Sequence, residues 1–307
     1  MKQKKNKIIT KNKCYPIKDS VFYKLSSKGR LANLLSSTVQ ELKSLTKNDQ
    51  YHCFTQLKRG KTRLIQEPLP KLDKIHSRIA SLLCRIETVD GLHSGCKGRS
   101  NISNAKAHVG VGKKVITLDI KSFFPSTKRS SVFYFFNNTM SCSPDIADLL
   151  SQLCTYEGYI PTGSRLSMQL AYFSNKRMFD EMEQAASECG AIMTIYVDDL
   201  TFSGAELSRN FIKRLEFIAK KYGHKIQSSK TRFYSENEVK LITGVAVIGE
   251  QLKPRNKHLA ALTQEIEYWR VNKSQQSANR ILGYMTYLGS IDSRYKDKAK
   301  TFRHQMA

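Results

Sequence analysis

The stretch 194-TIYVDDLTFSG-204 decides how this chain is read. Two apolar, β-rich runs, 192–197 and 200–202, are separated by adjacent carboxylates, Asp198 and Asp199. Alternation of this kind predicts a buried hairpin. The acids themselves have two readings. Asp tolerates tight-turn geometry and caps its own backbone, so the pair can be a turn and no more. Hard carboxylate oxygens are also what Mg²⁺ takes from a protein, so the pair can be part of a metal site.

A third acid sits in 114-KVITLDIKSFF-124, a predicted strand stopped by Pro125. Alternation puts Val115, Thr117 and Asp119 on one face and Ile116, Leu118 and Ile120 on the other. A carboxylate ending a buried strand needs a partner. One of the chain's many Lys or Arg residues would serve. So would cations shared with Asp198 and Asp199, because three gathered carboxylates repel unless neutralised. Two Mg²⁺ ions so held are the arrangement that supports nucleotidyl transfer.

Charge favours a polyanionic partner. The 307 residues carry 51 Lys and Arg against 26 Asp and Glu, a net +25. An excess this large on a folded chain points to nucleic acid. No apolar run approaches the roughly 20 residues of a membrane span, so no membrane association is expected. The start, MKQKKNKIITKNK, lacks the apolar core of a secretory signal and reads as a frayed basic tail. Seven scattered cysteines without a CxxC pair argue against a disulfide framework or zinc cluster, and the expected compartment is the cytoplasm.

The pattern predicts interleaved α and β elements. A helical stripe runs over 20–46, a hairpin over 51–68 turns near Arg59 and Gly60, and a helix follows over 71–87. Residues 91–108 read as a Gly- and Ser-rich basic loop. Helices are expected at 127–139, 144–156, 166–189 and 206–222, and a strand-turn segment ends in 239-VKLITGVAVIG-249. From Pro254 the pattern is helical, with stripes at Leu259, Leu262, Ile266, Trp269 and at Ile281, Leu282, Met285, Leu288, and it is basic.

Taken in order, these pieces resemble a reverse transcriptase of the bacterial retron type. The general signature is 118-LDIKSFFPS-126 followed by YVDD at 196–199. The retron-like additions are HSGCKGRS at 93–100, NAKAH at 104–108 and ITG at 242–244, which match the family's loop, NAxxH and VTG elements. The resemblance covers about residues 50–250, and the helical tail fits the family's thumb. It implies an α+β right-hand polymerase architecture. Fingers would occupy 1–112, a palm with an antiparallel sheet 113–250 with finger helices interleaved at about 127–156, and a helical thumb 251–307.

Carried over residue by residue, the resemblance makes Asp119, Asp198 and Asp199 catalytic ligands of two Mg²⁺ ions, with the main-chain carbonyl of Ile120 as a further ligand. Phe124 matches the aromatic gate that crowds a nucleotide's 2′ position, although a Phe beside Phe123 can also be plain core. Arg63 matches the fingers arginine that clamps the triphosphate, for which a planar multi-donor guanidinium is suited; Lys58, Arg59 and Lys61 lie nearby. The family's PQG reads 161-PTG-163 here, so Thr162, with Gly163, stands where a glutamine would meet the nucleotide. Asn104, His108, Thr243 and Gly244 are expected to bind RNA or to shape the site.

The implied activity is RNA-directed DNA synthesis from dNTPs on a cognate structured noncoding RNA. Priming from a 2′-hydroxyl would give a branched RNA–DNA hybrid, msDNA, within an antiphage system that includes an effector protein. A host RNase H would remove the template. The rival readings are another bacterial reverse transcriptase, of the abortive-infection or intron type, and a catalytically silent RNA-binding scaffold.

Overall fold

Strand-forming residues with a two-residue break at 59–60 give the first hairpin of the computed structural model, which describes residues 7–58 and 60–306. Strand β1 (Tyr51–Lys58) pairs antiparallel with β2 (Lys61–Pro68), Lys58 opposite Lys61, as the pattern predicted. Residues 1–6, Arg59 and the side chains of Lys58 and Lys61 lie outside the described residues. From Ile9 onward the basic start is not frayed. The Ile9 amide donates to Ser81 Oγ (2.9 Å), Arg85 Nη2 donates to the Ile9 carbonyl (3.2 Å), and Tyr15 and Arg85 join backbone to backbone (2.9 Å).

Elsewhere the expected helices are shorter than their stripes. The 20–46 stripe divides into α1 (Lys28–Leu34) and α2 (Val39–Ser44), each opened by a side-chain cap from Ser27 or Thr38. Helix α3 (Pro70–Leu83) starts on a proline and stops short of residue 87. Inside the expected loop, Ser100 and Ser103 form a capping box that nucleates α4 (Asn101–Lys106). A one-turn helix, α5 (Phe123–Ser126), follows the Asp119 strand. Then come α6 (Arg129–Tyr134), continued by a π turn at Phe135–Thr139, and α7 (Pro144–Leu153).

The expected helix 166–189 is two helices, α8 (Ser167–Ser174) and α9 (Lys176–Ser187). Asn175 interrupts them because its side chain bonds the Ala171 carbonyl (2.8 Å) and Thr127 Oγ1 (2.9 Å). Helix α10 covers Arg209–Lys221. After Pro254 there are α11 (Asn256–Asn272), α12 (Gln275–Gly289) and a third helix, α13 (Arg294–Met306), which the two stripes did not reveal.

The remaining strands form two sheets. In one, β3 (Lys114–Asp119), β4 (Ile192–Tyr196), β5 (Asp199–Gly204) and β6 (Arg232–Tyr234) take the order β4-β5-β3-β6. In the other, β7 (Lys240–Ile242), β8 (Val245–Ile248) and β9 (Gln251–Lys253) form a meander. The chain is therefore α+β, with antiparallel pairing throughout the registers seen.

By contact density the chain divides into two units. One comprises Met1–Asp90, Asp119–Gln184 and Lys213–Gln227; the other comprises Gly91–Leu118, Ala185–Ile212 and Ser228–Ala307. The first is organised on buried Phe22, Leu42, Ile79, Leu150 and a stacked Phe135–Phe173 pair (5.3 Å). The second has a small core of Ala105, Val115, Ile242, Val245 and Val247. It also has a helical cluster in which Trp269 meets Phe302 edge-on at 4.8 Å. No helix among the described residues is long and apolar enough to cross a membrane. None of the seven cysteines, all among the described residues, is in a disulfide.

Candidate active site

The register places the two acids of the hairpin. Tyr196 pairs with Asp199, so the turn is Val197–Asp198 and Asp199 is the first residue of β5. A two-residue hairpin needs positive φ, and it is Val197, not a glycine, that adopts it (φ 61°). A β-branched residue held left-handed costs on the order of 1–2 kcal/mol, and such strain gathers at functional tips. The Val197 amide is held by the buried Ser94 Oγ at 2.9 Å. The loop before it is fastened to β4: Leu92 bridges Ile195, with bonds of 2.8 and 2.9 Å. At Gly91 a Cβ would lie 2.6 Å from the Met193 carbonyl oxygen, so only glycine allows this approach. Sequence reading missed Ser94 and Gly91, because neither belongs to a periodic pattern.

Asp119 is the last residue of β3, the strand bonded next to β5, and its side chain is buried. Its carbonyl accepts from the Gln227 amide and the Lys121 amide donates to Lys225, both at 2.8 Å, so Ile120 bridges Ile226 without bonding it. In such a narrow pair the carbonyl of the middle residue faces the opposite side of its strand. Carboxylates and main-chain carbonyls are hard-oxygen donors of the kind Mg²⁺ takes. Among the described residues no three His, Cys, Asp or Glu side chains are drawn together as a metal cage.

The residues expected to meet a nucleotide lie on separate elements. Phe123 is 4% exposed and belongs to the core, while Phe124 is half-buried with its ring 5.8 Å from that of Phe123. Arg63 is exposed on β2 opposite Gln56. Thr162 does not reach outward. Its hydroxyl lies 2.9 Å from the Leu64 carbonyl and 3.0 Å from Gln66 Oε1.

The NAKAH and ITG elements meet each other. Thr243 and Gly244 form the two-residue turn between β7 and β8, with φ of 43° and 88°. That is the conformation in which glycine is favoured and threonine is strained. Thr243 is held there by its own Oγ1–H to the Asn101 carbonyl (2.7 Å). Asn101 Nδ2 donates to the Thr243 carbonyl (3.2 Å), and Asn104 Nδ2 to Oγ1 (3.4 Å). Asn104 and His108 are fully buried and have no surface to offer RNA. His108 ties the strands of the acidic hairpin from beneath, through Thr194 Oγ1 on β4 (2.7 Å) and Ser203 Oγ on β5 (2.8 Å).

Burial pushes His108 down to about 3, and does the same to His76 and His224, each to about 4. An unfolded histidine titrates near 6.5, so below that pH the unfolded chain binds protons the folded chain refuses. Stability therefore falls with pH from about 6.5 down to about 4. The slope is about 1.4 kcal/mol per pH unit for each histidine, or about 4 for the three together. We expect the melting temperature to drop steeply between pH 6.5 and 5; a level profile over that range contradicts neutral, buried rings.

No family profile matches the chain. Curated proteins do. The Retron Ec86 reverse transcriptase of Escherichia coli is 24% identical over 278 residues, covering 88% of this chain and 86% of that protein. The Retron Se72 reverse transcriptase of Salmonella heidelberg is 31% identical over 183 residues, covering 57% of this chain and 47% of that protein. The Retron Mx65 reverse transcriptase of Myxococcus xanthus is 27% identical over 254 residues, covering 75% and 59%. The chain thus spans most of the first relative but only about half to three-fifths of the other two. Among solved structures, apo telomerase from Candida tropicalis is similar at a TM-score of 0.48 and 11% identity, over 66% of this chain and 47% of that one. Motif order and several retron relatives agree, and together they support a retron-type reverse transcriptase.

Proposed function

We propose that this protein copies part of a cognate structured noncoding RNA into DNA, primed by a 2′-hydroxyl of that RNA, and so makes a branched RNA–DNA hybrid, msDNA. The observation that carries the reading is the strained Val197–Asp198 turn. It sets Asp198 in the turn and Asp199 at the start of β5, the strand bonded beside the one that Asp119 closes.

Asp119, Asp198 and Asp199, with the Ile120 carbonyl, would hold two Mg²⁺ ions. When bound, such a pair activates the attacking hydroxyl and steadies the leaving pyrophosphate. Arg63 would grip the triphosphate, and Phe124 would exclude a ribose 2′-hydroxyl. Fingers 1–112, palm 113–250 and thumb 251–307 remain the division we propose, with the net +25 holding nucleic acid through phosphates. The cytoplasm, a host RNase H, an effector protein and an antiphage role complete the reading.

The direct test is extension of a DNA primer on an RNA template with dNTPs. We expect Mg²⁺-dependent products that fade steeply with added salt. Absence of extension under any divalent ion overturns the reading.

A further inference from the structure

Position 162 is where this chain departs from the PQG of its family, and the structure supplies that position with an intramolecular partner. Three donors of the loop face three oxygens of β2 and its side chains. The Thr162 amide donates to Gln66 Oε1 (3.0 Å), the Gly163 amide to the Gln66 carbonyl (3.1 Å), and the Thr162 hydroxyl is shared between the Leu64 carbonyl (2.9 Å) and Gln66 Oε1 (3.0 Å). Gln66 is 2% exposed, so its amide oxygen has no water to fall back on and depends on these donors.

The backbones are close as well. A Cβ at Gly163 would stand 2.5 Å from the Gln66 carbonyl oxygen and 2.9 Å from Ile65 Cγ2, so no side chain is admitted there. The loop is braced from its other side: His76 Nδ1 meets Ser164 Oγ at 2.7 Å, and Ser167 Oγ donates to the Pro161 carbonyl. The loop is thus a fixed support and β2 is the element held to it. Arg63 is the residue next to Leu64, whose carbonyl takes the hydroxyl.

We propose that Thr162 and Gln66 form a latch that fixes β2, and Arg63 with it, against the 161–164 loop, so that Thr162 is a positioning residue for the triphosphate clamp. This rests on the polymerase reading given above. A glutamine at 162 would keep the amide bond but bring no hydroxyl to the Leu64 carbonyl. The hydroxyl is therefore the group that distinguishes the latch from the family pattern.

Thr162→Val keeps the shape and removes the hydroxyl; Thr162→Ser keeps the hydroxyl and removes the methyl. Steady-state extension would give KM for dNTP and kcat for both, and hydrogen exchange would follow the amides of residues 62–66 and 163 in the same proteins. The latch predicts that Thr162→Val raises KM about threefold to tenfold, the worth of one hydrogen bond, with kcat within about twofold. It also predicts faster exchange across those amides, with Thr162→Ser close to the parent on both readouts. An equal KM rise in Thr162→Ser would assign the position to contact through the methyl and overturn the latch, as would unchanged KM and exchange in Thr162→Val. If the parent protein extends no primer, the polymerase reading fails; the exchange data then decide the latch alone, faster exchange in Thr162→Val upholding it and unchanged exchange overturning it.

Discussion

Replacing Asp198 and Asp199 together by Asn is expected to lower DNA synthesis by at least about a thousandfold, some 4 kcal/mol of barrier, while RNA binding is kept. The two properties separate because they rest on different charges. In the proposed reading the acids would hold metal, whereas RNA would be gripped by Lys and Arg from a surplus of 25 positive charges, a grip that removing two negative ones would not weaken. A second readout needs no substrate. A ligand that binds only the folded state stabilises it, by about 2.7 kcal/mol at a hundred times its Kd, so Mg²⁺ should raise the melting temperature of the parent and not of the double variant. Retained synthesis in the double variant would remove these two residues from the metal site.

Phe124→Ala is expected to admit ribonucleotides. Discrimination of dNTP over rNTP should fall by about tenfold or more, at least 1.4 kcal/mol, because a half-buried ring beside the β3 end is replaced by a methyl group. Phe123→Ala is the control. Phe123 is core, packed near Phe179 (6.1 Å) and His224 (5.7 Å), so its loss should cost stability, about 3–5 kcal/mol, without shifting discrimination. Unchanged discrimination in Phe124→Ala, measured by primer extension with each nucleotide, would return Phe124 to the core.

The parts of the chain that were legible in sequence are those governed by local chemistry. The hairpins at 51–68 and 192–204 follow from alternating runs around short breaks, and ITG at 242–244 is legible as a turn once its Gly244 is seen. What escaped is held by partners far away in sequence. Asn175 breaks a helix through Thr127 and His224, Thr162 is turned inward by Gln66, and Thr243 is strained into its turn by Asn101. Helix α4 hid in a Ser- and Gly-rich stretch because its capping box uses Ser103 where Glu or Gln is usual. Helix α13 hid because only Ala299 and Phe302 of its charged sequence are buried. His108 was legible as a motif, but its place beneath the acidic hairpin depends on Thr194 and Ser203, about ninety positions away.

The proposed product is DNA joined to the RNA that the protein copies. The measurement that meets it most directly is extraction of nucleic acid from the protein purified out of its native locus, digested with RNase and run on a denaturing gel. The account predicts one discrete short DNA whose mobility increases slightly after treatment with a 2′,5′-debranching enzyme. RNA without attached DNA would contradict it.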